Sequence, residues 1–187
     1  MGISRTEAAS ALTDIESTTG RSHQMRGYRI AGPILMIWGL IWIAGYLTLA
    51  LAPPGHASLV WLPLDVLGVA ATILLARRGK SGQGAAPRGV GWRSGVGALA
   101  VMIFAAVTFS LFRPVSPGVI LVYPGVLCGL IYVTLGIWRM PRFVWIGLAV
   151  AGASLAGYVL FAPWLAFWMA GVGGGGLLLG GLWLRRA

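Results

Sequence analysis

One carboxylate stands inside an otherwise apolar stretch of this chain. Asp65 lies about seven residues, or roughly 10 Å, into a run that begins near Ser58. Holding a carboxylate at such a depth in hydrocarbon costs about 2.5 to 3.5 kcal/mol on insertion scales, and more without a partner. The sequence offers Arg113, at the end of the next apolar run, with a side chain long enough to snorkel down to it. Such a pair could relay a proton or cation, or fix the packing of two helical hairpins. The spans hold no second carboxylate and no histidine to receive a proton, so the structural pair is the expectation.

The other reactive side chains are few and scattered. Cys128 is the single cysteine, which excludes an intrachain disulfide and a Cys-rich metal site. His23 and His56 both fall outside the apolar runs, so a haem would find no axial imidazole there, and neither metal nor cofactor is expected. Two His, four acids and one Cys spread in this way do not assemble into a nucleophile with its base or a catalytic metal, so enzyme is the class least expected. Gly79-Lys80-Ser81 imitates the end of a phosphate-binding loop, but Leu74 stands where its first glycine should be. Met1-Gly2 with Thr6 fits a myristoylation pattern that a chain already held by several membrane helices does not need.

The elements that carry these residues follow from composition. Of 187 residues, 58% are apolar and 10% charged, against about 25% charged in an ordinary soluble domain. A span takes about 20 apolar residues. Six runs meet this, near 30–51, 58–76, 93–112, 118–138, 143–162 and 164–184, each bounded by Pro, Gly or Arg. Helices are predicted for all six, because backbone groups in hydrocarbon must be paired internally and the alternating pattern of a barrel is missing. The predicted fold class is therefore all-α: a polytopic membrane protein with a six-helix transmembrane bundle. Placing Arg113 on one side and the other 13 basic residues on the opposite side puts both termini in the cytoplasm. Thirteen Arg against one Lys, with no Asn at all, resembles the codon bias of a GC-rich bacterium, which points to a bacterial inner membrane. The net charge of +10 is then explained by topology and by anionic lipid headgroups on the cytoplasmic face, and nucleic acid is not an expected partner.

Two regions fall outside the spans. Residues 1–29 read as a cytoplasmic segment with a short amphipathic helix, Ala8, Leu12 and Ile15 sharing one face and Gly20 ending it. Residues 30–187 read as the transmembrane domain, interrupted by a Gly-rich basic loop at 77–93. Helices one, three and five end in similar Leu/Phe/Pro sequences, and helices two and six open with Trp61-Leu62 and Trp164-Leu165, a faint signal of three tandem hairpins. Small residues mark expected close packing: Gly125 with Gly129, Ala153 with Gly157, and Gly176 with Gly180, within chains or between protomers. Pro63 and Pro124 read as boundary features, and Trp38 with Trp42, one turn apart, could border an apolar pocket.

Function follows only coarsely. The spans lack Asn, Gln and His, a thin lining for polar transport. The expected role is association, as an accessory, scaffold or regulatory subunit contacting a membrane protein partner or further copies of itself. The alternative is a small channel or transporter for protons, ions or an apolar solute that uses Asp65.

Overall fold

Long apolar runs that must satisfy their own backbone have little choice but helix. The computed structural model describes residues 5–52, 57–78, 90–112, 116–138 and 140–186. Among them there are no strands. The helices are α1 (Arg5–Leu51), α2 (Trp61–Arg78, led in by a 3₁₀ turn at Ala57–Val60), α3 (Val90–Leu111), α4 (Pro117–Trp138) and α5 (Arg142–Leu160). A 3₁₀ turn at Ala162–Trp164 then leads into one continuous rod made of α6 (Leu165–Trp168), a π-helical stretch (Met169–Gly174) and α7 (Gly175–Arg185). The protein is thus an all-α membrane bundle of six rods, as its six apolar runs predict. Four are long and apolar enough to cross a membrane by length and composition: Gln24–Leu51, Pro117–Trp138, Arg142–Leu160 and Ala162–Arg185.

One boundary departs from expectation. Gly20 lies inside α1 instead of ending a leader helix, and α1 runs unbroken from Arg5 into the span. Ser10, Asp14, Thr18 and Ser22, four residues apart, lie along its exposed side, and the Ser22 hydroxyl donates to the Thr18 carbonyl at 2.9 Å. The side chains of Ala8, Leu12 and Ile15 lie outside what is described. The physical reason is cooperativity: extending an existing helix fixes one residue per new hydrogen bond, so a glycine that would stop an isolated peptide is carried through by the helix beyond it.

The bundle is organised by two close seams between antiparallel helices. In the first, α1 meets the final rod. A Cβ on Gly39 would stand 2.8 Å from the Gly174 carbonyl oxygen, and one on Gly181 would stand 2.6 Å from that of Gly32. In the second, α4 meets α5, where Gly129 faces Ala151 and the Gly147 carbonyl, and Gly136 faces the Val144 backbone. A core of Tyr28, Leu35, Trp42, Tyr46, Phe143, Ile146, Met169, Leu177 and Leu184 fills the space between these pairs. The hairpins of the sequence are therefore units of connectivity, whereas the packing units join helices one and six, and four and five.

Outside this four-rod centre, α2 packs on α1 and α3 stands off. Gly68 of α2 admits Ile41 and Trp38, and Gly45 of α1 admits the Trp61 ring. Phe109 of α3 meets Tyr123 of α4 at 4.7 Å between ring centres. Further along the same two helices an open cleft of about 530 Å³ runs between Val101 and Phe104 on one side and Leu127, Leu130, Ile131, Thr134, Leu135 and Trp138 on the other.

Gly39→Ala and Gly174→Ala should each destabilise the protein by about 1 to 3 kcal/mol, because the added methyl meets backbone that cannot step aside. Gly171→Ala, whose Cβ meets nothing within 4 Å, should be neutral or slightly stabilising through helix propensity. Thermal unfolding in detergent separates the two classes.

Candidate functional site

Asp65 sits one turn into α2, immediately beyond the Trp61 ring. Its side chain is exposed, between Leu62 and Val69, at the edge of the face that Trp61, Gly68 and Thr72 apply to α1. A helical side chain leans toward its own N-terminus. In α2 that direction leads toward Trp61 and the bundle end opposite Arg77 and Arg78, so the carboxylate is carried toward the nearer surface. Arg113, its expected partner, lies outside the described residues. The proper α-helix also begins at Trp61 rather than Ser58, which leaves Asp65 shallower in its helix than the sequence suggests.

The two tryptophans of α1 do different work. The Trp38 indole N–H donates to the Thr72 hydroxyl at 3.1 Å, which itself donates to the Gly68 carbonyl. Trp38 thereby ties α1 to α2. Trp42 is buried, packs against Gly173 of the π-helical stretch and meets Tyr46 edge-on at 5.7 Å. Neither lines any of the clefts described here; both are used in packing.

The small residues divide similarly. Gly125 faces the Ser154 side chain and Gly129 faces Ala151, both in the α4–α5 seam. Ser154 is fully buried, and its hydroxyl is satisfied by the Val150 carbonyl at 2.7 Å. Gly157 leaves room for the Trp168 ring. That indole donates to the Ala153 carbonyl at 2.8 Å and stacks on Phe161 at 4.3 Å. A Cβ on Gly176 would meet nothing within 4 Å, and one on Gly180 would only touch Ile146 at 3.3 Å. These two glycines instead line an open groove of about 460 Å³ between α5 and α7.

Several contacts were not singled out from sequence. Gly32, Gly39, Gly174 and Gly181 carry the α1 seam, and their signal was a spacing of seven on both helices. Tyr46 donates its hydroxyl to the Leu121 carbonyl at 2.7 Å, three residues before Pro124, which lies inside α4 rather than at its boundary. At the arginine-bearing end, Arg142 donates its backbone N–H to the Tyr28 hydroxyl at 3.2 Å and a guanidinium N–H to the Trp183 carbonyl at 3.1 Å. Its guanidinium also lies over the Tyr28 and Trp183 rings, at 5.4 and 5.1 Å. Among the described residues no group of three metal-ligating side chains comes together.

No family model matches the chain, and no curated protein or solved structure matches it either.

Two tyrosines of the bundle make a matched test. Tyr46→Phe should cost about 0.5 to 1.5 kcal/mol by deleting a buried interhelical hydrogen bond. The Tyr123 hydroxyl is buried with no partner among the described residues, so Tyr123→Phe should leave the melting temperature unchanged or raise it. Parallel thermal melts of the two variants read the contrast directly.

Proposed function

We propose that this protein is a multi-pass component of a bacterial inner membrane, with both termini in the cytoplasm, that acts by association: an accessory, scaffold or regulatory subunit. The observation that carries this reading is the contrast between its centre and its periphery. The four central rods are locked by glycine seams and a filled core. By contrast, among the described residues, α3 meets its own chain in one ring pair and along the rim of an open cleft, and α2 turns Leu62, Val66, Leu67 and Ile73 outward. Between membrane helices there is no hydrophobic driving force, so association depends on shape fit and hydrogen bonds. A helix that its own chain holds at so few described points, and an apolar face turned outward, offer such fit to another chain.

The helical extension at the start of α1 supports the same reading. From Arg5 to the span at Gln24 it adds about 28 Å of rod, continuous with the bundle. It would hold a cytoplasmic partner at a set distance and angle. Transport through Asp65 fits less well, because its side chain is exposed on α2, outside the core that the four central rods share.

Native mass spectrometry of the full chain, gently extracted from its own membrane, tests this. A discrete oligomer, or a stoichiometric protein partner lost on deletion of residues 1–27, is the expected result. A monomer carrying no other protein would overturn the reading, and Asp65→Asn-sensitive flux in liposomes would then establish transport.

A further inference from the structure

The groove between α5 and α7 has a shape and a charge pattern that go beyond general association with other chains. Its floor is small: Ala149 and Ala153 from α5, Gly176 and Gly180 from the last rod. Its rims carry large apolar side chains, with Leu179 and Val172 along one and Trp145 facing Trp183 at the arginine-bearing end. From Val172 to Trp183 the last rod rises about 17 Å, close to half of a hydrocarbon core about 30 Å thick. The groove is therefore one leaflet tall, whereas a partner helix would need a seat along the whole span.

Both walls run into a cation at the same end. On α5, Arg142 precedes Trp145 by three residues and Ala149 by seven; on α7, Arg186 follows Trp183 by three and Leu179 by seven. Residues at these spacings share a helix face, so each apolar stripe continues into an arginine. Arg142 is held in place by its stacking on Trp183 and its bond to the Trp183 carbonyl, and a guanidinium so anchored keeps further N–H donors for a phosphate. Arg186 is exposed at the C-cap of α7.

We infer that this groove binds an anionic phospholipid of the leaflet at the arginine-bearing end, an acyl chain lying over Gly176 and Gly180 and the phosphate held between Arg142 and Arg186. The inference stands independently of the association reading. Apolar length, aromatic flanks at headgroup depth and paired cations match the three zones of such a lipid in order.

The test uses the purified full-length protein, delipidated and titrated in detergent with phosphatidylglycerol or with phosphatidylcholine of the same acyl chains. Native mass spectrometry counts the lipid retained. Wild type should keep one phosphatidylglycerol in preference to phosphatidylcholine, and Arg186→Gln should weaken that preference roughly five-fold. Gly176→Leu, whose Cβ enters open space, should fill the groove and abolish retention without lowering the melting temperature. Ala149→Leu, exposed on the opposite wall, should do the same. Equal retention of both lipids by wild type, or undiminished phosphatidylglycerol on both filled variants, would overturn the proposal. So would a dimer that the filled variants dissolve, which would make the groove a seat for a second copy.

Discussion

The bundle depends on the closeness with which α1 and the last rod approach. Lipid tails are as apolar as leucine, so burying one apolar helix against another gains little by the rule that folds soluble proteins. What remains is dispersion, which falls steeply with small gaps, and close approach requires that no side chain stand between the backbones. Gly32 against Gly181 and Gly39 against Gly174 provide this at two levels, two turns apart. Once that pair is set, Trp42, Met169 and Leu177 have fixed positions to fill, and α5 can settle on the pair through Ile146 at Gly180.

The π-helical stretch fits the same constraint. Met169–Gly174 is wider than an α-turn and ends at the glycine that meets Gly39. An inserted residue shifts the faces of a helix on either side of it. Here the shift lets Leu165 and Met169 point into the core above while Leu177, Gly181 and Leu184 do so below. A strict helical wheel drawn through the whole tract mixes these two faces. That is why Gly176 with Gly180 stood out in sequence as the packing pair, although the backbone contact belongs to Gly174 and Gly181. A run of glycines contains several small-residue spacings at once, and only the partner helix selects one.

Fold class was legible for a simple reason: the requirement that every backbone group be paired in hydrocarbon acts on each span separately and needs no tertiary information. Five of the six runs therefore match their rods to within a few residues, and the first matches at its far end, Leu51, while its rod starts at Arg5. Elements whose form depends on neighbours were less legible. Gly20 is a stop signal only for a helix that ends there, and the pull of the span beyond it extends α1 through. Trp38 and Trp42 share a face at one-turn spacing, yet one reaches Thr72 and the other Gly173, because α2 and the last rod flank that face on its two sides. Asp65 lies at the edge of the face that α2 applies to α1, beside Trp61, Gly68 and Thr72, a placement that depends on the partner helix and not on the span alone.

The arginine-bearing end shows how a topological signal acquires a structural use. A positive charge near a helix end is enough to bias orientation, and for that purpose its position within a turn or two is immaterial. Arg142 is placed far more tightly than orientation requires. Its backbone meets Tyr28 of α1, its guanidinium meets the carbonyl and ring of Trp183 on α7, and Gln24 holds the same Tyr28 hydroxyl from the other side at 3.2 Å. Three rods are thus joined through one residue at the arginine-bearing end of the bundle, its stem packed and its guanidinium on two rings. A lysine would satisfy the charge rule equally, but its ammonium cannot lie flat on two rings and bond a carbonyl in the same geometry. The choice of arginine at this position therefore follows from packing as much as from charge, because the same planar cation spans the Tyr28 and Trp183 rings and bonds the Trp183 carbonyl.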